Sequence, residues 1–233
     1  LGDIREGYVD EEELIAAAVE TEKLSHVDLY GIGTNLTCFS FIQADEEKME
    51  CLAEMRRKVE NAAGHTLEIV SGGNSAALDL MMRGGICEGV DNFRLGESLL
   101  FGKERSRYTF LPGTRNDGFI LECEVVEAKV KPSLPWGTAG VDSYGRKPVF
   151  TDRGEKRKKV ICAIGRQDFD AETATPVDEG ILILGASSDH LMLDVTDSVK
   201  EYKVGDIVEL RLGYFSVLRA FTSPYVEKIF LKK

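Results

Sequence analysis

The sequence lacks the features that mark several classes of protein. No hydrophobic run reaches the roughly 18 residues of a membrane-spanning helix. No two cysteines form a CxxC pair and no histidine cluster lies near one, so the sequence predicts neither a disulfide framework nor a metal site. With a net charge of −11, it also lacks the basic surface that nucleic-acid binding requires. These absences predict a cytoplasmic protein with no membrane, nucleic-acid or metal partner.

What is present is the composition of a globular protein. The chain has 233 residues, of which 43% are hydrophobic and 30% are charged, enough for one large domain or two medium ones. One segment, Arg153 to Lys159, is locally basic, and we interpret it as the solvated tip of a hairpin. The chain opens without a methionine on "LGDIREGY", a pattern typical of the end of a strand. We therefore expect a further segment upstream.

The first half alternates between strand-like and helix-like segments. The runs "HVDLYGIGTN", "TLEIVSGG" and "NFRLG" have the character of buried strands. Asp45 is expected to cap a helix that ends at Gly64, and Asn74 is expected to cap a shorter helix. Strands that alternate with helices indicate parallel pairing through right-handed crossovers, here as four β/α units.

From about residue 116 the pattern becomes all β. The predicted strands lie in "FILECEVVEAKVK", "KVICAIG", "GILILGAS", "VGDIVEL" and "YVEKIFLKK". We therefore predict an α/β plus β fold, with a cofactor-binding β/α domain over residues 1–115 and a β domain over residues 116–233.

Two glycine-rich segments follow consecutive strands of the first half. "SGGNSAAL" and "RLGESLLFG" each place glycines and free backbone N–H groups at the start of a helix, where an anion binds favourably. Either segment alone is equally well explained as an ordinary helix cap. Together they have the form of the phosphate cradle that the last two loops of many (β/α)₈ barrels provide.

These motifs carry a family resemblance. "LGDIREG", "YGIGTN", "SGGNSA" and "FRLGESLLFG", in this order and followed by a β domain, resemble the fold type III pyridoxal-phosphate amino acid racemases, the alanine racemase architecture. The residues of "LGDIREG" and "GRQDFD" are more similar to those of the ornithine racemase branch. The resemblance implies the second half of a (β/α)₈ barrel followed by a carboxyl-terminal β domain, with about half of the barrel upstream.

The resemblance also assigns cofactor-binding positions. Arg94 matches the arginine that faces the pyridine nitrogen of pyridoxal phosphate, where a permanently charged guanidinium keeps that nitrogen neutral. Arg5 matches the arginine near the cofactor's phenolic oxygen and the substrate carboxylate. Asn35 stands where alanine racemases have a histidine over the cofactor ring. The positions matched to phosphate binding are Asn74, Ser75, Gly96, Glu97 and Tyr225.

The second acid/base of the reaction departs from the family pattern. Arg166 stands where alanine racemases carry a catalytic tyrosine, and arginine is a poor base. Either another group exchanges that proton or Arg166 binds the substrate carboxylate. Asp189 and His190 lie in the segment matched to the substrate carboxylate, and His190 is a candidate acid/base or a structural residue. Asp168, with Asp170 beside it, is a candidate for binding the distal ammonium of ornithine.

The resemblance thus predicts a pyridoxal-phosphate-dependent racemase that acts on ornithine or a related amino acid as a homodimer. The Schiff-base lysine of the family belongs to the first barrel strand, so the chain alone is expected to be inactive. Two alternatives remain open: a non-catalytic binding protein on the same scaffold, and a decarboxylase of the same fold.

Overall fold

The computed structural model describes residues 1–142 and 145–232. The chain divides into two compact units, Leu1–Asn116 and Asp117–Lys233. No helix in the described residues combines the length and hydrophobicity that crossing a membrane would need.

The first unit is a mixture of helices and short parallel strands. Its helices are α1 (Glu11–Glu22), α2 (Glu46–Ala63), α3 (Leu78–Met82) and α4 (Glu97–Phe101), and its strands are β1 (Gly31–Gly33) and β2 (Ile69–Ser71). The strands pair in parallel, and Asn92 adds an isolated parallel bridge to Ser71. A 3-10 turn, Ser75–Ala77, leads into α3.

The helix α2 forms as its sequence predicts. The Asp45 side chain accepts a hydrogen bond from the backbone N–H of Lys48 at 2.9 Å, and Gly64 ends the helix with a φ of 81°, which favours glycine. Its apolar face is buried against the neighbouring strands, through Met49, Leu52 and Val59. This packing holds α2 against the pair of strands that it connects in the chain.

The prediction of four β/α units is wrong in part, because residues 1–116 contain two strands and two isolated bridges, only one of which is parallel. The opening segment forms no strand, since the Asp3 carboxylate instead accepts hydrogen bonds from the backbone N–H groups of Phe39 and Ser40. In "NFRLG" only Asn92 pairs as a strand would, whereas the Arg94 N–H donates to the Gly73 carbonyl at 2.8 Å. At both places, hydrogen bonds to distant segments of the chain replace the regular ladder bonds of a strand.

The second unit contains a six-stranded antiparallel sheet in the order β5-β8-β3-β4-β7-β6. The strands are β3 (Ile120–Lys131), β4 (Arg157–Cys162), β5 (Ala174–Pro176), β6 (Leu182–Ala186), β7 (Leu191–Asp194) and β8 (Ile207–Leu212). A 3-10 turn (Ala171–Thr173) precedes β5, and a helix, α5 (Tyr214–Thr222), follows β8. Leu121, Cys123 and Val125 alternate inward along β3 into the core. The predicted α/β segment followed by a β domain is confirmed.

Two predictions for the second unit are wrong. "YVEKIFLKK" is not a strand: its described residues carry no regular structure, and Tyr225 and Phe230 are 79% and 80% exposed. The last regular element of the described chain is α5, which ends at Thr222, before this segment begins. The basic segment is not simply a solvated tip either, because Arg157 begins β4 and its guanidinium binds the carboxylates of Asp194 and Asp197.

Candidate cofactor and substrate site

Arg94 lies across the carboxyl ends of both parallel strands. Its guanidinium donates through Nη2 to the Thr34 carbonyl at 2.8 Å and through Nη1 to the Ser71 hydroxyl. A Cβ at Gly33 would lie 3.3 Å from Arg94 Nη1, so the glycine leaves room for this placement. The result is a fixed positive charge at the edge of the sheet where parallel α/β folds bind ligands.

Asn74 and Asn35 form one hydrogen-bonded unit. The Asn74 Oδ1 atom accepts from the Ala76 N–H at 2.7 Å, which caps the turn. Its Nδ2 atom donates to Asn35 Oδ1 at 2.5 Å and to the Leu36 carbonyl at 3.0 Å. The Asn74 side chain is therefore engaged within the protein, where it orients Asn35.

Two buried serines connect the glycine-rich segments. The Ser75 hydroxyl oxygen lies 3.0 Å from the Ser98 hydroxyl and accepts from the Ser98 N–H at 3.1 Å. Each residue is only 4% exposed. The bond holds the turn at Ser75 against the start of α4, 23 residues further along the chain.

The backbone N–H groups of Ser75, Gly96 and Glu97 make no hydrogen bond to any described residue. A Cβ at Gly96 would meet nothing within 4 Å, so the space beside it is open. Three N–H donors without acceptors, on segments fastened together, form a donor set that suits a phosphate group. The site thus fits the phosphate end of pyridoxal phosphate.

Glu97 brings a carboxylate to the same place. Its side chain is 14% exposed, and Oε2 lies 3.4 Å from Nε of Arg105. Burial raises the pKa of Glu97, while the positive charges of Arg105 and Lys103 act in the opposite direction. Sequence reasoning missed both Arg105 and Ser98, because Arg105 lies outside the quoted motifs and Ser98, although inside "FRLGESLLFG", received no role there.

Arg5 is exposed, and its guanidinium pairs with the Glu6 carboxylate, a contact that raises the pKa of Arg5. The loop that carries Arg5 is held by Asp3, which is buried and accepts from the Ser40 N–H at 2.9 Å. The assignment of Arg5 to binding the cofactor and the substrate remains a prediction.

In the second unit, Arg166 lies against the loop at residues 187–189. Its backbone N–H donates to the Ser187 carbonyl and its Nε donates to the Ala186 carbonyl, both at 2.8 Å. A Cβ at Gly165 would come within 2.3 Å of the Asp189 nitrogen, so a glycine is required for this close approach. The fold therefore brings Arg166 together with Asp189 and His190.

Asp189 orients the His190 ring. The Asp189 Oδ1 atom lies 3.0 Å from His190 Nδ1, a contact that lowers the pKa of Asp189. Both side chains are about half exposed, at 59% and 49%. The bond at Nδ1 leaves Nε2 of the imidazole available for proton exchange.

Asp168 is a buried carboxylate with one bound oxygen. The residue is 4% exposed, and its Oδ1 accepts from the Ser223 hydroxyl at 2.7 Å. Its Oδ2 has no hydrogen-bond partner among the described residues. Asp170 instead caps the 3-10 turn at residues 171–173.

Tyr225, matched to phosphate binding, is largely exposed, and its N–H donates to Ser223 Oγ at 3.1 Å.

Comparison with known proteins gives curated relatives along nearly the whole chain. The chain is 45% identical to an ornithine racemase of Acetoanaerobium sticklandii over 228 residues, 98% of this chain and 64% of the relative. It is 42% identical to a lysine racemase of Thermotoga maritima over 230 residues, 99% of this chain and 63% of the relative. The chain thus spans less than two thirds of the length of either relative. No family model matches it.

Solved structures share the fold at low sequence identity. D-threonine aldolase from Filomicrobium marinum aligns with a TM-score of 0.59 and 11% identity, over 92% of this chain and 53% of its own. Alanine racemase from Bartonella henselae, solved with covalently bound pyridoxal phosphate, aligns with a TM-score of 0.53 and 19% identity, over 87% of this chain and 52% of its own. The ordered motifs, the fold and the racemase relatives agree. The chain is similar in sequence to the ornithine and lysine racemases, and it shares the fold of the alanine racemases.

Proposed function

We propose that this chain supplies the carboxyl-terminal, cofactor- and substrate-binding part of a pyridoxal-phosphate-dependent racemase acting on ornithine or a related basic amino acid. The observation that carries the proposal is the phosphate cradle: three unpaired N–H groups on two segments joined by Ser75 and Ser98. The identities of 45% and 42% to ornithine and lysine racemases support the substrate class.

The first unit supplies the groups that would hold the cofactor. The N–H groups of Ser75, Gly96 and Glu97 would bind its phosphate, and Arg94 would face its ring nitrogen with a charge that does not transfer a proton. When bound, pyridoxal phosphate withdraws electrons from the substrate Cα and so makes the Cα proton removable. The bonds from Arg94 to Thr34 and Ser71 keep the guanidinium in place for this role.

The second unit supplies candidates for handling the Cα proton. Because a guanidinium is a poor base and can bind a carboxylate through two N–H groups, we assign Arg166 to binding the substrate carboxylate. His190 would exchange the Cα proton through Nε2, while Asp189 holds Nδ1. In the intact enzyme, a His190→Gln variant should lose activity on both substrate enantiomers. Activity close to that of the wild type would contradict the assignment of His190.

The substrate's distal ammonium would bind Asp168. The Oδ2 atom of Asp168 has no partner among the described residues but keeps some contact with solvent, so a cation or a donor can reach it. A side-chain ammonium provides both, and an alanine methyl group provides neither. This contrast accounts for a preference for basic amino acids.

We further propose that the chain does not racemise amino acids alone. The lysine beside the cradle, Lys103, holds its Nζ 4.2 Å above the Tyr108 ring centroid, away from a strand end. The covalent attachment of the cofactor would then come from outside this chain.

The test is an assay of the intact protein that carries this chain, with pyridoxal phosphate and L-ornithine, L-lysine or L-alanine. Chiral chromatography should show the D-enantiomer forming from ornithine and lysine faster than from alanine. Release of carbon dioxide without racemisation would indicate a decarboxylase. Cofactor binding without turnover of any of these amino acids would indicate a non-catalytic binding protein.

A further inference from the structure

The loop after α4 is held rigidly beside the phosphate cradle. Glu104 is 3% exposed, and its carboxylate accepts from the backbone N–H groups of Ser106 at 2.8 Å and Arg107 at 2.7 Å. Although burial raises the pKa of Glu104, these hydrogen bonds lower it on balance. The backbone N–H of Arg105 donates to the Ser75 carbonyl at 3.4 Å. Arg105 is therefore fixed next to one of the cradle residues.

The side chain of Arg105 turns toward the other half of the cradle. Its Nε lies 3.4 Å from Glu97 Oε2, and the Glu97 side chain is mostly buried. The neighbouring cation, Lys103, lies over the rings of Tyr108 and Phe110, at 4.2 and 4.8 Å from their centroids. The ion pair to Glu97 thus comes from Arg105.

This pair removes an electrostatic conflict. A phosphate monoester carries a charge of about −1.5 to −2 near neutral pH. Glu97 offers such a group its backbone N–H and, on the same residue, a carboxylate of like charge. Because like charges repel strongly in a partly buried site, the carboxylate has to be neutralised if the phosphate is to bind.

We propose that Arg105 is a cofactor-positioning residue that neutralises the Glu97 carboxylate and so allows a phosphate monoester to occupy the cradle. This inference rests on the proposed function of the cradle. It assigns the Arg105–Glu97 pair to the phosphate and gives Arg105 no part in the proton transfer.

The experiment compares binding of pyridoxal phosphate and of pyridoxal to the intact apoprotein by equilibrium dialysis. The variants are Arg105→Gln, Glu97→Gln and the double variant. Arg107→Gln is the matched control, because Arg107 is in the same loop but pairs with Asp79 at 3.4 Å. Circular dichroism and the melting temperature confirm that each variant is folded.

Arg105→Gln should raise the dissociation constant of pyridoxal phosphate about fivefold and leave that of pyridoxal unchanged. Glu97→Gln should restore phosphate-dependent affinity in the double variant, and Arg107→Gln should match the wild type. Equal affinity in Arg105→Gln and wild type, or no restoration in the double variant, would overturn the inference alone. No uptake of pyridoxal phosphate by the wild type would instead overturn the proposed function.

Discussion

The Ser75 hydroxyl caps α4 from a separate segment of the chain, because it accepts the Ser98 N–H at 3.1 Å, while the backbone N–H of Ser75 has no partner among the described residues. The first N–H groups of a helix have no partner within the helix. One of those of α4 is satisfied by the side chain of a cradle residue. Stability of the unit and geometry of the cradle therefore depend on the same bond.

We predict that Ser75→Ala destabilises the protein by about 1–3 kcal/mol, because it leaves the buried Ser98 N–H without an acceptor. Ser98→Ala keeps that acceptor and loses only the hydroxyl contact, so it should cost about 1 kcal/mol or less. Urea denaturation measures both free energies of unfolding. A loss from Ser98→Ala as large as that from Ser75→Ala would show that the N–H bond is not the dominant contribution.

The sequence was a good guide where the structure is determined locally. For α2, the Asp45 cap, the Gly64 end and the buried Met49, Leu52 and Val59 were all readable, since each depends on residues within one or two turns. The helix α5 could not be predicted from the sequence. Its N-cap is Gly213, which has no side chain to act as a cap, and its aromatic residues are equally typical of strands.

The candidate site could be predicted only in part, because some of its contacts join residues that are distant in sequence. The glycine-rich segments and Arg94 were marked by motifs, but the contacts of Ser98 and Arg105 with Ser75 join residues 23 and 30 positions apart in sequence. Nothing local in the sequence indicates such contacts. Tertiary packing decides which polar side chain reaches the cradle.

Asp194 provides a test of pH dependence. Its carboxylate is 1% exposed; burial raises its pKa, but hydrogen bonds from Arg157 and Thr196 lower it on balance. The stabilisation is therefore complete above the ordinary aspartate pKa of about 3.9 and is lost as the pH falls through the lower folded value. We expect Asp194→Asn to reduce the free energy of unfolding at pH 7 by roughly 3 kcal/mol. In this variant the free energy of unfolding should also fall less steeply as the pH becomes acidic.

The matched control for that prediction is Asp197→Asn, which removes the other carboxylate bound to Arg157. The Asp197 side chain is 62% exposed, so this change should cost less than about 1 kcal/mol. Thermal unfolding of both variants between pH 2 and 7 provides the comparison. Equal losses at pH 7 would contradict a dominant role for the buried partner.

Asp168 provides a test of substrate choice. Asp168→Asn keeps an oxygen for Ser223 but removes the charge that would bind a distal ammonium, so kcat/KM should fall at least about tenfold for ornithine and less than about threefold for alanine. Asp170→Asn is the control, because Asp170 serves as a turn cap and should affect both substrates equally. Equal losses on ornithine and alanine in Asp168→Asn would assign Asp168 to structure alone.

The last prediction concerns the homodimer expected from the resemblance, in which residues of two copies complete each site. In such a dimer the partner copy would bring Arg166 and His190 to the bound substrate, where proton transfer requires the acid/base within about 2.6–3.2 Å of its proton or one water away. Arg94→Gln and Arg166→Gln should each be inactive in the intact enzyme. When the two variants are mixed and allowed to exchange subunits, the mixture should regain about one quarter of wild-type activity, because half of the dimers are hybrids with one intact site.

The control for this mixture is Arg94→Gln combined with the double variant Arg94→Gln/Arg166→Gln, in which every site lacks Arg94 and no hybrid is intact. Native mass spectrometry verifies that hybrids form in both mixtures. If verified hybrids of the two single variants stay inactive, Arg94 and Arg166 act within one copy. Recovery in the first mixture alone would assign the two arginines of each site to different copies of the chain, because no other combination restores a complete set.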